Sequence, residues 1–231
     1  MTAGIILAGG LSERLGESET PKQFIKVAGV PLVMYCLRTF ERCADMDALA
    51  IVAPEQWREK LQKWLDEYGI GKFNTFAPPG RTRQHSIYNG LLAIKSLNPR
   101  RVVIHDAVRP LVTNQDIDNC IRSSESYDGA TPAMPLTETV YQSMDGVTIS
   151  ALVNRDRLHS GQTPECYDFS KYLHAHEALS DAELGNIRGS SEIAFMAGMK
   201  IHLHKGNPQN LKITTAADLD YFKYIIEARG L

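Results

Sequence analysis

Short apolar runs alternate with amphipathic segments along the first half of the chain. The runs are typical of buried strands, and the segments between them carry apolar residues at helical spacing. In chain order the predicted elements are strand 5–7, helix 31–43, strand 48–52, helix 55–68, strand 73–76, helix 84–97 and strand 101–105. This alternation predicts an α/β fold with a Rossmann-like, mostly parallel sheet and helices on both faces. Ligands of such sheets bind beyond the carboxyl ends of the strands.

The pattern changes after residue 131, where two short segments of alternating polarity, residues 138–143 and 147–153, flank Asp145 and Gly146. An Asp-Gly pair between two such segments predicts a β-hairpin. The hairpin carries few large apolar side chains, so it should be stable only when packed against another surface. We expect a protruding arm over residues 138–158. No linker divides the chain, which predicts a single domain over residues 1–231.

The composition and the spacing of residues argue against several classes of function. The formal net charge is −2 and no block of like charge occurs, which argues against a nucleic-acid-binding protein. No apolar run approaches the roughly 18 residues of a membrane span, and no signal segment is present. The four cysteines contain no Cys-x-x-Cys pair, so we expect buried, reduced thiols. These features predict a cytoplasmic protein that binds neither nucleic acid nor membrane.

A candidate phosphate-binding loop follows the first strand. Residues 4–16 pass from an apolar run into small residues whose backbone N–H groups can approach an anion. Arg14 and Lys22 add positive charge beside those groups, a combination that suits a polyphosphate. The alternative is an ordinary turn with two solvated basic residues. The spacing fits neither the phosphate loop ending in Gly-Lys-Ser/Thr nor the Gly-x-Gly-x-x-Gly dinucleotide motif.

A series of motifs, in matching order and with matching gaps, resembles the family of cytidylyltransferases that make CDP-linked polyol phosphates. Its members include ribitol 5-phosphate and 2-C-methyl-D-erythritol 4-phosphate cytidylyltransferases. The motifs are Leu7-Ala8-Gly9-Gly10 with Arg14 and Pro21-Lys22-Gln23, residues 80–86, residues 105–110, Thr137-Glu138-Thr139, residues 154–158 with 161–164, and residues 210–215. The resemblance covers nearly the whole chain.

The resemblance implies attack by a phosphate oxygen of a sugar-alcohol phosphate on the α-phosphorus of CTP, with release of pyrophosphate. It implies Mg²⁺ held mainly by the triphosphate, with Asp106 as a candidate metal contact, and a homodimer whose hairpin arms are exchanged. The implied site residues are Arg14, Lys22 and Lys212 for catalysis, Leu7, Ala8, Gly9, Gly10, Gly80, Arg81, Arg83, Ser86, Asp106 and Ala107 for the nucleotide, and Arg109, Thr139, Arg155 and Thr163 for the acceptor.

This sequence departs from the family pattern at three places. Arg81 stands where many relatives carry an acidic residue that can meet the ribose, and Glu138 replaces the usual Asp. Residues 188–193 lack a Thr-Asp pair found near the acceptor site of many relatives, so either Glu192 or a serine serves instead, or the acceptor differs. Motifs around Thr163 and in residues 210–215 favour D-ribitol 5-phosphate as acceptor. Ala107 favours 2-C-methyl-D-erythritol 4-phosphate.

Three other interpretations remain open. The same scaffold could use another nucleotide or another acceptor. A nicotinamide-dependent oxidoreductase is disfavoured because no glycine motif is followed by an acidic residue about 20 positions later. A non-catalytic nucleotide-binding protein is disfavoured because Arg14, Lys22 and Lys212 are all present, whereas binding alone could tolerate the loss of one.

Overall fold

The computed structural model of the protein describes residues 1–10 and 20–230. The strands are β1 (Thr2–Leu7), β2 (Lys26–Val27), β3 (Val30–Pro31), β4 (Ala48–Val52), β5 (Phe73–Ala77), β6 (Arg101–Asp106), β7 (Gly129–Pro135), β8 (Val140–Gln142), β9 (Ala151–Val153), β10 (His159–Gly161), β11 (Glu165–Asp168) and β12 (Ile201–Lys205). The helices are α1 (Leu32–Arg42), α2 (Glu55–Glu67), α3 (Arg83–Ala93), α4 (Asn114–Ser123), α5 (Phe169–Glu177), α6 (Asp181–Asn186), α7 (Ser190–Met196) and α8 (Ala216–Arg229). Short 3-10 helices cover Lys22–Phe24, Lys95–Leu97 and Arg155–Arg157.

The main sheet has eight strands in the order β10-β7-β11-β6-β1-β4-β5, with β12 paired to β7. Strands β6, β1, β4 and β5 run parallel, and β12 runs parallel to β7. Strand β11 is antiparallel to both β6 and β7, and β10 is antiparallel to β7. The prediction of a mostly parallel α/β sheet is therefore confirmed.

Helices cover both faces of the parallel strands. Neighbouring residues of β1 point to opposite sides, so that Ile5 packs in one core with α3 and α5 while Ile6 packs in the other with α1, α2 and α4. Every residue of β4 is buried. Burial on both faces explains why these strands are continuous apolar runs rather than alternating ones.

The predicted helices are present, but their ends differ. The predicted helix 84–97 divides into α3 and a separate 3-10 helix, which ends where Asn98 adopts a left-handed conformation with φ 46°. Helix α3 starts at Arg83, one residue earlier than predicted, because the Thr82 side chain accepts a hydrogen bond from the backbone N–H of His85. Such a cap satisfies one of the donors that the first helical turn leaves unpaired.

The hairpin forms a two-stranded sheet of its own, in which Tyr141 faces Leu152 across β8 and β9. Its strands are shorter than predicted. The Asp145 carboxylate accepts hydrogen bonds from the backbone N–H groups of Val147 and Thr148, and this local folding ends the strand pairing early. The prediction that only residues 144–146 join the two strands is wrong, because residues 143–150 form a longer connection.

Two predictions from composition can be compared with the structure. All four cysteines are buried and unpaired, as expected for reduced thiols. Within residues 1–10 and 20–230, no helix has the length and apolar character needed to cross a bilayer.

Candidate active site

A cavity of about 690 Å³ opens at the carboxyl ends of β1 and β6. These two strands are parallel neighbours, and their last residues, Leu7 and Asp106, lie side by side in register. Described residues that line the cavity are Leu7, Gly9, Gly10, Lys22, Gln23, Gly80, Arg81, Thr82, Arg83, Ser86, Asp106, Val108, Lys212 and Thr214. Arg14, one of the predicted catalytic residues, lies outside the described residues. The cavity thus brings together ten of the residues predicted for catalysis or nucleotide binding.

Asp106 is the centre of the charge arrangement in this cavity. Its Oδ1 accepts hydrogen bonds from Nε and Nη2 of Arg83, at 3.0 and 2.9 Å, and its Oδ2 accepts one from Lys212 Nζ at 2.8 Å. Burial opposes ionisation of this carboxyl, but Arg83 and Lys212 outweigh that effect and hold its pKa far below the usual range. Asp106 is therefore an anion with two cationic partners.

Glycines allow two loops to meet at the wall of the cavity. A Cβ on Gly9 would lie 2.6 Å from Cβ of Pro79, and a Cβ on Gly80 would lie 2.2 Å from Cβ of His85. Real Cβ atoms do not approach so closely, so only glycine fits either position. The Gly80 N–H donates to Ser86 Oγ at 3.0 Å, and that hydroxyl donates to the Thr82 carbonyl at 3.0 Å.

Arg81 lies at the rim of the cavity, with just over half of its side chain exposed. Its guanidinium donates to the backbone carbonyl of Asp181 in α6 at 2.6 Å and forms an ion pair with the carboxylate of the same residue. His85 Nε2 also contacts that carboxylate, at 2.8 Å. The predicted base-binding loop is consequently tied to the start of α6.

Gln23 supports the glycine loop, a role that the sequence analysis did not assign. It is buried, and its Nε2 donates to the carbonyls of Ala8 and Gly10 at 2.7 and 2.9 Å. The sequence signal for this supporting role was the position of Gln23 next to Lys22 in the Pro21-Lys22-Gln23 motif. Ala8 is itself buried and continues the sheet, with its N–H donating to the Val52 carbonyl at 2.9 Å.

Two predicted acceptor residues, together with the predicted nucleotide residue Ala107, lie beneath the cavity rather than on its surface. Thr163 Oγ1 accepts a hydrogen bond from the Asp106 N–H at 3.2 Å and contacts Nδ1 of His105 at 3.1 Å. Arg109 is buried and donates from Nη1 to the Asn210 carbonyl at 2.8 Å. Ala107 is fully buried. In this arrangement these residues support the strand end from which Asp106 reaches the cavity.

Thr139 and Arg155, the other predicted acceptor residues, line a separate hollow of about 360 Å³ at the base of the hairpin. Arg155 donates from Nη1 to the Thr137 carbonyl, which joins the two ends of the hairpin. Within one chain, the residues that the structure describes therefore form the cavity at the ends of β1 and β6 and a distinct hollow at the hairpin.

The segment that departs from the family pattern uses its serine and its glutamate differently. The Glu192 carboxylate accepts hydrogen bonds from the backbone N–H groups of Arg188 and Gly189, so it caps the start of α7. Ser190 instead faces the cavity network, where its Oγ accepts a hydrogen bond from Arg83 Nη1 at 2.6 Å. Of the two candidate substitutes, Ser190 is the one that contacts a predicted site residue.

The donor groups at the cavity offer little to a metal ion held by the protein alone. Both carboxylate oxygens of Asp106 are engaged by cations, and residues 1–10 and 20–230 contain no group of three or more His, Cys, Asp or Glu side chains placed to hold an ion. Mg²⁺ prefers several oxygen ligands, so these residues do not fit a metal held by the protein alone. A contact between Asp106 and Mg²⁺ stays a prediction.

The sequence model of the 2-C-methyl-D-erythritol 4-phosphate cytidylyltransferase (IspD) family matches residues 2–228 of the chain. The chain belongs to this family. Its enzymes are nucleotidyltransferases that transfer a cytidylyl group, and this member is accordingly a cytidylyltransferase. The resemblance found in the sequence motifs is confirmed.

Relatives named for different acceptors match almost the full chain. The 2-C-methyl-D-erythritol 4-phosphate cytidylyltransferase of Clostridium acetobutylicum is 35% identical over 95% of this chain and 94% of its own length. The ribitol-5-phosphate cytidylyltransferase of Lacticaseibacillus paracasei is 31% identical over 100% of both chains. The bifunctional enzyme IspD/IspF of Allorhizobium ampelinum is 34% identical, and the chain spans 54% of its length.

The fold agrees with a solved structure of the same class. The 4-diphosphocytidyl-2C-methyl-D-erythritol synthase of Anaerococcus prevotii superposes with a TM-score of 0.82, covering 98% of this chain and 96% of its own. Its sequence is 22% identical, so this likeness concerns the fold alone.

Proposed function

We propose that this enzyme transfers CMP from CTP to the phosphate of a sugar alcohol and releases pyrophosphate. A phosphate oxygen of the acceptor attacks the α-phosphorus, and the bond between that phosphorus and the oxygen bridging to the β-phosphorus breaks. The observation that supports this function best is the cavity in which Arg83 and Lys212 pair with the carboxylate of Asp106. Lys22 and Arg81 also line the cavity, and among its described lining residues Asp106 is the one acid. The excess of positive charge suits a polyphosphate.

The reaction requires positioning and charge stabilisation more than proton transfer. The acceptor phosphate is anionic at neutral pH, so no general base is needed to create the nucleophile. Negative charge that builds on the α-phosphoryl oxygens is best stabilised by cations that are already in place. Lys22 and Lys212 supply such charge in the described cavity, and Arg14 is proposed to join them.

Lys212 is suited to move from Asp106 to a phosphate oxygen. Its ammonium group makes an ion pair with Asp106, and its side chain is 43% exposed, whereas that carboxylate is buried. Lysine is a compact charge on a flexible stem, so a modest change of side-chain rotamer redirects it. Asp106 would then remain paired with Arg83.

The loop from Gly80 to Ser86 is proposed to read the cytosine. Gly80 permits a close approach of backbone to base, and the chain of hydrogen bonds from Gly80 through Ser86 to Thr82 holds the loop rigid. A planar polar base can be distinguished by fixed donors and acceptors at its edge. Mg²⁺ is proposed to enter as part of the CTP substrate complex, held mainly by the triphosphate.

The acceptor is proposed to bind between two chains. Thr139 and Arg155 line the hairpin hollow rather than the cavity, so they can complete a site only if another surface is brought to them. A homodimer with exchanged hairpin arms would place them over the cavity of the partner. Arginine suits such a contact because its guanidinium can bind a phosphate through two hydrogen bonds.

D-ribitol 5-phosphate is the acceptor we favour, and 2-C-methyl-D-erythritol 4-phosphate is the second candidate. The motifs around Thr163 and in residues 210–215 support the first, and the relative from Lacticaseibacillus paracasei is named for it. Ala107 and a larger number of relatives support the second. Residues 188–193, which lack the Thr-Asp pair, mark the region where acceptor preference can differ.

A pyrophosphate-release assay tests this function directly. Each of the four nucleoside triphosphates is incubated with the enzyme and with either polyol phosphate. The expected result is release of pyrophosphate with CTP and ribitol 5-phosphate at the highest kcat/KM. A higher kcat/KM with methylerythritol 4-phosphate would assign the enzyme to the second candidate. No release with CTP and either acceptor would contradict the proposed function.

A further inference from the structure

The guanidinium of Arg83 is held on several sides. Nε and Nη2 donate to Asp106 at the cavity, and Nη1 donates to Ser190 Oγ behind it. Nη2 also lies 3.9 Å from Oε2 of Glu165. Ser190 and Glu165 are only 2% and 5% exposed, and neither lines the cavity. Two buried polar side chains therefore stand behind a residue that faces the nucleotide site.

The hydrogen bonds behind Arg83 run in one direction. A serine hydroxyl has a single proton, and the Ser190 hydroxyl donates it to Oε2 of Glu165 while accepting from Arg83. The Tyr167 hydroxyl donates to Oε1 of the same carboxylate at 3.1 Å. Both oxygens of Glu165 act as acceptors, so this residue terminates a chain that begins at Arg83. Through Ser190 and Glu165 the guanidinium is tied to α7 and β11 as well as to Asp106.

Stability alone gives a weak reason for this arrangement. A carboxylate taken out of water loses hydration that a buried ion pair only partly replaces, and such pairs are often no more stable than apolar residues of the same size. Burial accordingly raises the pKa of Glu165, against the opposing effects of Arg83 and Ser190. The burial of Glu165 beside Arg83 is better explained by its effect on the position of the Arg83 guanidinium.

We propose that Ser190 and Glu165 are positioning residues that fix the Arg83 guanidinium against Asp106 at the nucleotide cavity. Their contacts with the guanidinium keep Arg83 in place when Lys212 leaves Asp106 for a phosphate oxygen. The proposal rests on the proposed function for what Arg83 does to CTP, whereas the hold on Arg83 exists in the ligand-free chain. The two can therefore be tested separately.

The ligand-free test measures hydrogen exchange at the Arg83 side chain by NMR. The Nε–H signal is identified by its absence from Arg83→Lys. In the chain of 231 residues this proton should exchange slowly, and Ser190→Ala should speed the exchange by roughly tenfold, in line with the coupling expected between contacting residues. Glu165→Gln, which keeps the side-chain volume, provides a second variant and should act in the same direction. Ser191→Ala, on the adjacent half-buried serine, is the matched control. Unchanged exchange in folded Ser190→Ala or Glu165→Gln would overturn the proposal.

The functional test is a double-mutant cycle on kcat/KM for CTP. If Ser190 acts through Arg83, Ser190→Ala should lower kcat/KM about tenfold in the wild-type background and less than about twofold in an Arg83→Ala background. A purely structural role would give equal losses in both backgrounds and would overturn the proposal. A wild-type enzyme that releases no pyrophosphate from CTP would contradict the proposed function instead, while the exchange measurement would still decide the positioning role.

Discussion

The cavity at the ends of β1 and β6 and the hairpin of β8 and β9 are built in opposite ways. Cavity residues are held by partners far away in the sequence, as in the bonds of Asp106 to Arg83 and to Lys212, which span 23 and 106 residues. Hairpin residues are held by near neighbours, as in the bond from Thr148 to Asp145. Most of the cavity residues are partly buried and Asp106 is buried, whereas Val147 and Leu152 in the hairpin are 87% and 75% exposed.

This difference indicates which part of the site one chain can complete. The cavity network has its partners within the chain and needs no second subunit to position Asp106. The hairpin leaves large apolar side chains uncovered, and a two-stranded ribbon alone is marginally stable in water. Contiguous exposed apolar side chains often mark a protein–protein interface. The hairpin is therefore the region whose role we propose to depend on assembly.

The largest expected effect concerns the cations of the cavity. Lys22→Ala, Lys212→Ala or Arg14→Ala should lower kcat by on the order of 10²-fold or more, with a smaller change in KM for CTP, because each removes a donor that we propose to stabilise the transition state. Steady-state kinetics provides the measurement, and Lys223→Ala on the exposed face of α8 is the control. A raised KM with unchanged kcat would show that the lysine or arginine serves substrate binding alone.

Mixing two inactive variants tests whether the hairpin completes the site of a partner. Arg155→Ala and Lys212→Ala should each be nearly inactive. After subunit exchange, a shared site predicts recovery to about a quarter of wild-type activity, because half of the dimers are mixed and each mixed dimer holds one intact site. Exchange is verified by native mass spectrometry. A monomer in sedimentation, or confirmed exchange without recovery, would contradict the shared site and leave the cavity chemistry intact.

Acid should destabilise the body of the protein through its buried histidines. Burial lowers the pKa of His105 to about 4 and that of His176 likewise to about 4, so both are neutral in the fold. Because their folded pKa lies below the unfolded value, their contribution to stability is present above about pH 6.5 and is lost as the pH falls toward 4. For His105 the loss in the free energy of unfolding is about 3 kcal/mol.

Urea unfolding at several pH values provides the measurement for this effect. His105→Gln lacks the titrating imidazole, so its free energy of unfolding should fall less steeply than that of the wild type between pH 6.5 and 4. Parallel pH curves for the two proteins would show that His105 is not the source of the acid sensitivity. The comparison uses the difference in slope, since the substitution also changes the absolute stability.

The smallest expected effect separates base recognition from acceptor recognition. Ser86→Ala or Arg83→Lys should reduce the preference for CTP over UTP by about tenfold, because a fixed polar contact at the base edge is disturbed. Thr139→Ala, in the hairpin hollow, should raise the acceptor KM and leave nucleotide preference unchanged. Full retention of the CTP preference in both cavity variants would show that residues 80–86 do not read the base.

The sequence by itself determined the order of the elements in the parallel half and the position of the cavity at the ends of β1 and β6. Strand β4 was predicted with its observed bounds, and helix α2 differed from its prediction by one residue at the end. Such elements follow from hydrophobic periodicity and from turn residues, which act over a few positions along the chain. The glycine loop and Asp106 could be placed at the same sheet edge because parallel strands end together.

Only the tertiary structure decided which side chains meet. Nothing local in the sequence links Ser190 to Arg83, which lies 107 residues away, or Glu165 to either of them. The same holds for Thr163 and Arg109, which motif matching assigned to an acceptor and which the fold places beneath Asp106. Local patterns specify which face of an element is buried. Partners at hydrogen-bonding distance are fixed by the packing of elements from different parts of the chain, and that packing is a property of the whole sheet.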